Sequence, residues 1–400
     1  MVKILEVKNL YLDKPLWSFR ESFGKFHVLF KSVSNEQEFY YTELLCLDTE
    51  HLIETSYQFN KAVHFIGEGN PSNVMFHGSI EQHLEGNMFN VSRLNLERFE
   101  DELVFSIKFE GNIKNIWNLR IRISPIDERY CLVFLSEDDL VFNKACYSRV
   151  ILVDYVEKKG YFIQQQDFPY MNVLLNIAVC KVGNQAKNII FKSGRIQRFE
   201  KKSYWEEYYN SNGSYKVETL ENLLILNKSE FIDCIKNKKN LSPIIFKDYD
   251  ISRSVEVIGM VGDRFWFFEE DYKGDKTEIY AIDLETGSST LKYKANEHYY
   301  SIEVFGGLLY GVREELKNKV YYSFETNATH EFSYKEMVVY LDETVRITAR
   351  MYLDESIPRT ASMRDSETYN IEVVKDGLTE NAYTNKKFFY YFEENILLVY

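Results

Sequence analysis

Proline, glycine and cysteine are scarce in this chain of 400 residues, with 6, 18 and 5 occurrences. So little glycine and proline excludes collagen-like and low-complexity chains, which are rich in both. The cysteines are odd in number, widely spaced and free of any CxxC pair, which excludes a disulfide framework and the usual zinc ribbons. Cys46, Cys131 and Cys180 lie within apolar runs, so we interpret them as reduced, buried side chains.

Targeting and membrane segments are also missing. The first residues, MVKILEVKNLYLDK, carry a charge every few positions and contain neither an apolar signal core nor a small-residue cleavage site. The longest apolar stretch, near Met171–Val182, is interrupted by Asn176 and Lys181 and is too short to span a bilayer. Together with the reduced cysteines, these features predict a cytoplasmic protein that does not bind membranes.

The motifs of common enzyme classes are absent as well. The sequence has no GxSxG nucleophile elbow, no GxxxxGK[ST] phosphate loop and no HExxH zinc motif. The triplet Gly67-Glu68-Gly69 lacks the third glycine and the following helix of a dinucleotide-binding loop. The sequence therefore predicts no cofactor and favours a protein that is not an enzyme.

Charge and aromatic content give the first positive indications. The net charge is −13, from 61 acidic and 48 basic residues spread along the chain. Such a field repels phosphate backbones, so nucleic-acid binding is not expected. The chain is rich in aromatic side chains, with 30 Tyr and 29 Phe. Because aromatic residues favour pleated, half-buried surfaces, the composition predicts a mainly β protein.

A repeated hairpin unit is the strongest indication of the fold. The segment 278–294, EIYAIDLETGSSTLKYK, contains two strands with period-two alternation around a turn at Gly287. It aligns without a gap with the segment 319–335, KVYYSFETNATHEFSYK. An apolar strand that ends in aspartate recurs at Asp48, Asp154 and Asp283. We infer a repeating unit of four strands.

Such a unit, of about 40–50 residues, is the blade of a β-propeller. The length predicts a single repeat domain over 1–400, with about seven four-stranded blades and six or eight as alternatives. The apolar segment Phe388–Tyr400 looks like half a unit, so we expect N- and C-terminal strands to close the propeller together. Tandem β-sandwich domains are the alternative, but they do not explain the ungapped repeat.

Helix is expected only in two short inserts, near 79–86 and 229–238. The first, SIEQHLEG, places Ser79 and Gln82 at capping-box spacing. The second, SEFIDCIKNK, has Phe231, Ile232 and Ile235 on one face and lysines at its end, which suits the helix dipole.

Three of the seven histidines, His64, His77 and His83, fall in one stretch rich in Gly and Asn. Neutral imidazoles bind zinc, but zinc motifs space their ligands more tightly than these histidines. The favoured interpretation is a surface loop without a metal.

Two segments are candidate contact surfaces. The densest aromatic cluster consists of Tyr204, Trp205, Tyr208 and Tyr209. A basic patch at the end of the second predicted helix consists of Lys236, Lys238 and Lys239. Tyr and Trp are enriched at binding hot spots, and a basic patch suits an acidic partner. The alternatives are ordinary sheet packing and a solvated face.

By elimination, the leading hypothesis is a non-enzymatic propeller scaffold that binds another macromolecule, and a protein is the favoured partner. One alternative is a carbohydrate-binding or carbohydrate-active propeller enzyme, with carboxylates and aromatic side chains at the mouth of a central channel. Another is a structural subunit of a larger assembly, such as a phage or cell-surface machine. The sequence identifies neither the partner nor the oligomeric state.

Overall fold

The structure of the chain is a computed structural model. The residues that it describes are 3–6, 17–34, 39–70, 72–83, 86–109, 120–136, 147–182, 187–194, 196–198, 216–219, 221–250, 252–271, 276–297, 299, 301–315, 318–352, 368–386, 388–391 and 396–399. The chain divides into two compact units. The first unit comprises residues 16–255 and 284–287, and the second comprises residues 1–15, 256–283 and 288–400.

Four antiparallel four-stranded sheets follow one another in the first unit. Sheet 1 contains β2 (Trp17–Phe23), β3 (Phe26–Ser34), β4 (Phe39–Asp48) and β5 (Ile53–Val63). Sheet 2 contains β6 (Phe65–Ile66), β7 (Val74–His83), β8 (Gly86–Asn95) and β9 (Glu100–Phe109). Sheet 3 contains β10 (Arg120–Pro125), β11 (Tyr130–Ser136), β12 (Arg149–Asp154) and β13 (Lys159–Ile163). Sheet 4 contains β14 (Ile177–Val182), β15 (Asn188–Ser193), β18 (Asn222–Asn227) and β19 (Ile245–Asp248), with the hairpin β16 (Ile196–Arg198) and β17 (Lys216–Thr219) inserted before β18.

Three further four-stranded sheets lie almost wholly in the second unit. Sheet 5 contains β20 (Arg253–Val261), β21 (Arg264–Asp271), β22 (Lys276–Ile282) and β23 (Ser289–Ala295). Sheet 6 contains β24 (Ser301–Phe305), β25 (Leu308–Glu315), β26 (Asn318–Ser323) and β27 (Thr329–Ser333). Sheet 7 contains β28 (Glu336–Leu341), β29 (Val345–Tyr352), β30 (Thr368–Lys375) and β31 (Leu378–Lys386).

A three-stranded sheet combines strands from both ends of the sequence. It contains β1 (Lys3–Glu6), β32 (Phe388–Tyr391) and β33 (Ile396–Val399), in the order β1-β33-β32. Strand β33 is antiparallel to β32 and parallel to β1. The prediction that terminal strands share a sheet is confirmed. The succession of four-stranded meanders confirms the predicted all-β propeller class.

The turn between the third and fourth strands follows one pattern in sheets 1 to 3. Asp48 ends β4, and its Oδ1 accepts hydrogen bonds from the N–H groups two and three residues later, at 2.9 and 3.1 Å. Asn95 and Asp154 make the same two bonds at the ends of β8 and β12. The recurrent aspartate of the sequence is therefore a turn cap. The backbone is left-handed four residues after these caps, at Leu52, Phe99 and Lys158, with φ of 57°, 54° and 50°.

Sheet 4 is accompanied by two helices. The short helix α1 (Met171–Leu175) precedes it, and α2 (Lys228–Asn237) connects its third and fourth strands. Asn227 stands where the turn caps stand in sheets 1 to 3, and its side chain accepts hydrogen bonds from Ser229 and Glu230 at 2.9 and 3.2 Å. Here the same cap starts a helix, which corresponds to the one predicted near 229–238. No helix among the described residues is both long and apolar enough to cross a membrane.

The helix predicted near 79–86 is wrong. Ser79 to His83 belong to β7, and Gly86 begins β8. The two strands pair along their whole length, from Val74 opposite Asn95 to His83 opposite Gly86. Helix preference is weak in so short a segment, and the ladder of hydrogen bonds together with the burial of Ile80 outweighs it.

Each unit has its own apolar clusters. In the first unit, a large cluster joins sheet 3, sheet 4 and α2, and its aromatic members are Phe134, Tyr147, Phe168, Phe191 and Phe231. In the second unit, a cluster joins sheets 6 and 7 to the three-stranded sheet, to which β33 contributes the fully buried Leu397 and Val399.

Candidate functional site

The predicted aromatic contact surface lies outside the described residues. Its members are Tyr204, Trp205, Tyr208 and Tyr209. A binding role for this cluster stays a prediction.

The three lysines of the predicted basic patch all form ion pairs within the first unit. Nζ of Lys236 lies 2.8 Å from Oδ2 of Asp154, whose side chain is 0% exposed. The outer pairs are Lys238–Asp167 at 3.4 Å and Lys239–Asp233 at 2.6 Å. Lys236 is thus a structural group that ties α2 to sheet 3. Lys238 and Lys239 are exposed, and their role in binding stays a prediction.

The surface loop expected around the three histidines is wrong, because His64 and His77 are buried side chains and His77 lies on β7 of sheet 2. Nδ1 of His64 accepts a hydrogen bond from the N–H of Ile80 at 3.1 Å. Nε2 of His77 lies 2.8 Å from Oδ1 of Asp101. The side chain of His83 lies outside the described residues. The two described imidazoles are therefore held by separate partners within the sheet.

A different set of residues has the spacing of metal ligands. In the described part of the chain, Asp48, Glu50 and His51 place one ligand atom each within 4.8 Å of one another. They surround a capped turn, where Nζ of Lys25 already lies 3.1 Å from Oδ2 of Asp48. A cation in contact with the central carboxylate disfavours a metal ion at this turn.

Charged side chains converge at the first strands of the sheets in the first unit. Glu21 lies on β2, Glu68 follows β6, Arg122 and Ser124 lie on β10, and Cys180 lies on β14. We call Glu21, Glu68, Arg122 and Ser124 the carboxylate site.

Glu68 is the centre of the carboxylate site. Its Oε1 lies 2.5 Å from an Nη atom of Arg122, and its Oε2 accepts a hydrogen bond from the Ser124 hydroxyl at 2.6 Å. The other Nη atom of Arg122 donates to the carbonyl oxygen of Ala178 on β14 at 2.9 Å. Both oxygens of Glu68 are therefore held from β10, and Arg122 is in turn held by β14.

Main-chain hydrogen bonds fix the segment that carries Glu68. The N–H of Glu68 donates to a carbonyl oxygen of β10 at 2.9 Å, and the N–H of Asn70 donates to a carbonyl oxygen of β2 at 3.1 Å. Between them, the N–H of Gly69 donates to Oε2 of Glu21 at 3.0 Å. The carboxyl of Glu21 is thereby bonded to the residue next to Glu68.

The two glutamates differ in their electrostatic surroundings. Burial raises the pKa of the Glu21 carboxyl, and the negative charge of Glu68 adds to the effect, while the hydrogen bond from Gly69 opposes it. Glu68 has a guanidinium beside it instead. The site thus combines a carboxyl that keeps its proton to higher pH with a carboxylate paired with a cation. Enzymes assign acid and base roles to two similar side chains in this way.

Cys180 borders the carboxylate site with a partly exposed side chain. Burial raises the pKa of its thiol to about 12, with a further contribution from the charge of Glu68 and opposing ones from Arg122 and Ser124. Because the thiolate is the reactive form of cysteine, this thiol is unreactive at neutral pH.

The carboxylate site was not predicted from the sequence, although the glycines on both sides of Glu68 indicate part of it. The triplet Gly67-Glu68-Gly69 fails as a phosphate loop, yet glycines on both sides of a carboxylate indicate close packing of the backbone. A Cβ atom at Gly69 would lie 2.4 Å from Oε2 of Glu21, and one at Gly67 would lie 2.6 Å from a carbonyl oxygen of β7. No comparable signal singles out Glu21 among 61 acidic residues.

No family model and no curated protein sequence matches the chain. Dipeptidyl peptidase 4 from Porphyromonas gingivalis is a similar solved structure, with 9% sequence identity, coverage of 93% of this chain and 55% of that chain, and a TM-score of 0.50. An oligogalacturonate lyase in complex with manganese has 11% identity, covers 83% and 82% of the two chains, and gives a TM-score of 0.45. The β-propeller domain of the Trilobed protease from Pyrococcus furiosus has 9% identity, covers 91% and 96%, and gives 0.43. At these identities the likeness concerns the fold.

One similar structure corrects the leading functional hypothesis. Dipeptidyl peptidase 4 is an enzyme, so the prediction of a non-enzymatic scaffold for a protein partner is wrong. The first strands agree with this correction. Strands β2 and β10 and the residues after β6 carry Glu21, Arg122 and Glu68 in partly exposed positions. The two alternatives, a carbohydrate-active enzyme and a structural subunit of a larger assembly, stay predictions.

Proposed function

We propose that this chain is a carbohydrate-active propeller enzyme whose acid–base pair is Glu21 and Glu68. The observation that carries the proposal is the juxtaposition of two carboxyl groups with different surroundings. One is a partly buried carboxyl with a raised pKa, and the other is ion-paired with Arg122. Cleavage of a glycosidic bond by two carboxyl groups requires one that donates a proton and one that is ionised.

Each residue of the carboxylate site has a role in this reaction. Glu21, protonated, donates its proton to the oxygen of the leaving sugar as the glycosidic bond breaks. Glu68, ionised, accepts a proton from the water that attacks the other side of that bond. Arg122 and Ser124 hold both oxygens of Glu68. The carboxylate is therefore already oriented before the reaction, and little conformational entropy is lost in reaching the transition state.

The test is a screen of neutral and uronic-acid oligosaccharides for cleavage, with reducing ends and unsaturated products measured separately. We expect Glu21→Gln and Glu68→Gln each to lower kcat by about 100-fold or more, the usual effect of losing a general acid or base. Activity of the unaltered protein should fall as the pH rises through the pKa of Glu21, because the acid then loses its proton. Glu21→Gln should abolish that dependence.

Glu43→Gln is the matched control. Glu43 lies in sheet 1, on β4, and pairs with Lys31 at 3.2 Å. The substitution removes one ion-paired glutamate from the same sheet and should leave activity unchanged. Full activity in Glu21→Gln would refute the proposed roles, and cleavage of none of the oligosaccharides would refute the proposed function.

A cytoplasmic location remains a prediction that rests on the odd number and wide spacing of the cysteines.

A further inference from the structure

We propose that Gly69 is a positioning residue for Glu21: its peptide N–H, fixed between two sheets, holds the carboxyl beside Glu68, and no larger residue fits in its place. This inference rests on the proposed function in that Glu21 is the acid. It adds that a backbone amide of the neighbouring sheet sets the position of that acid.

The amide of Gly69 is held by its neighbours in sequence. The N–H of Glu68 bonds to β10 and the N–H of Asn70 bonds to β2, at 2.9 and 3.1 Å. A peptide fixed on both sides cannot turn its N–H away from Glu21 without breaking one of these bonds. The 3.0 Å bond from Gly69 to Oε2 of Glu21 is therefore preorganised, which is the condition for an effective positioning group.

Steric limits at Gly69 are severe. A Cβ atom there would lie 2.4 Å from Oε2 of Glu21 and 2.6 Å from the carbonyl oxygen of Ser22. The carbonyl belongs to the backbone of β2 and cannot swing aside as a flexible side chain can. Any substitution must therefore push Glu21, β2 or the amide itself out of position.

The groups around Glu21 determine how the pKa of its carboxyl changes when the hydrogen bond from Gly69 is lost. Burial and the carboxylate of Glu68 raise the pKa of Glu21, while the N–H groups of Gly69 and Ser22 lower it. Arg122 faces Glu68. Loss of the Gly69 bond removes a group that stabilises the ionised form, so Glu21 should hold its proton to still higher pH.

The test is the titration of Glu21 in the full chain, followed by NMR with isotope-labelled glutamate and assigned with Glu21→Gln. In Gly69→Ala we expect the midpoint to rise by about one pH unit, the size of one hydrogen bond to an ionised group. Gly262→Ala is the control, since a Cβ there strains a turn of sheet 5 but meets no described atom within 4 Å. Its midpoint should equal that of the unaltered protein.

An unchanged midpoint in a folded Gly69→Ala protein would overturn the inference. The measurement uses no substrate, so it is independent of the oligosaccharide screen. A raised midpoint in a chain that cleaves none of the oligosaccharides would support the role of Gly69 and reject the proposed function.

If Gly69→Ala does not fold, hydrogen exchange of the Gly69 amide decides the question. In Glu21→Gln this amide loses its charged acceptor, so we expect it to exchange about tenfold faster than in the unaltered protein. Equal exchange rates in the two proteins would overturn the inference.

Discussion

The fourth residue after the turn cap, which follows the third strand of a sheet, differs widely in side chain from one sheet to the next. Leu52, Phe99 and Lys158 all have positive φ there, and Gly287 occupies the same position in sheet 5 with φ of 71°. Left-handed backbone costs a residue with a Cβ atom about 1–2 kcal/mol, whereas glycine adopts it freely. In sheets 1 to 3, the residue four positions after the cap therefore adopts a left-handed conformation that is unfavourable for a side chain with a Cβ atom.

Leu52 offers the clearest test of that cost, because its side chain is 47% exposed and loses little packing when removed. We expect Leu52→Gly to stabilise the protein by about 0.5–1 kcal/mol, the strain relieved less the entropy that glycine loses on folding. The measurement is Tm by calorimetry. Leu52→Ala removes the same side chain but keeps the Cβ atom, so its Tm should not rise. A higher Tm in both variants would point to the side chain instead of the torsion angle.

Residues of the carboxylate site illustrate what a single sequence conceals. Glu21 and Gly69 are 48 residues apart, and their hydrogen bond depends on the register between two neighbouring sheets. Alternation of apolar and polar residues predicts each strand but not which polar residues meet across sheets. The glycines beside Glu68 are visible in the sequence, whereas the partner that requires them is not.

At the scale of elements, α2 depends on one buried carboxylate. Asp154 accepts two hydrogen bonds from Arg129, at 3.0 and 2.8 Å, and a third from Lys236 of the helix at 2.8 Å. Lys236 also lies over the rings of Tyr130 and Tyr161, 5.7 and 5.1 Å from their centroids. The helix is therefore joined to sheet 3 by a desolvated charge as well as by apolar packing.

We expect Asp154→Asn to destabilise the protein by about 1–3 kcal/mol, because Arg129 and Lys236 lose their buried counter-charge and keep only the partly exposed Glu157. Asn95 makes the same cap in sheet 2, so asparagine preserves the turn and the substitution isolates the charge. Tm is the measurement, and Asp233→Asn is the control, since that carboxylate is exposed and pairs with exposed Lys239. Similar small losses in both variants would show that the buried network contributes little.

The same network gives a dependence on pH whose sign follows from its partners. Burial alone would raise the pKa of Asp154, but hydrogen bonds from Arg129, Lys236 and the backbone outweigh it and hold the pKa well below the usual carboxyl range. Its stabilising contribution is present above the pKa of an unfolded aspartate and is lost as the pH falls towards the lowered value. The Tm of the unaltered protein should fall on acidification, and Asp154→Asn should lose part of that fall.

Elements were predictable where local pattern and tertiary structure agree. Period-two alternation gave the hairpins of sheets 5 and 6, and an amphipathic run after Asn227 gave α2. The segment from Ser79 has the spacing of a capping box, yet it forms β7 because a ten-residue partner strand lies beside it. A capping motif reports local preference, and here the pairing energy of the hairpin exceeds that preference.

For the whole molecule, the critical element is β33. It lies between β1 and β32, and its Leu397 and Val399 are fully buried. We expect Leu397→Ala combined with Val399→Ala to cost roughly 3–6 kcal/mol, enough to unfold or aggregate a protein of ordinary stability. Soluble yield and Tm are the measurements. Leu378→Ala, at a side chain that is 74% exposed, should leave both unchanged.

The repeat of four strands was predictable because successive four-stranded sheets share the same sequence pattern of strand, turn and turn cap. That strands from the two terminal regions share a sheet was expected, and the structure shows that β1 is the strand that pairs with β33. The parallel direction of this pair was not expected, because nothing in either segment specifies the direction of pairing between strands that are so far apart in the chain.

That direction has a mechanical consequence. Lys3 lies opposite Ile396, and Glu6 lies opposite Val399, so the free end of β1 and the free end of β33 point in opposite directions. Tension applied between those two ends would slide the strands past each other and load all of their hydrogen bonds at once. If the two strands were antiparallel, the same tension would break their hydrogen bonds one after another, starting from one end. Pulled from its ends, the three-stranded sheet should therefore resist force as a shear joint, with a rupture force that Leu5→Gly or Leu397→Gly lowers.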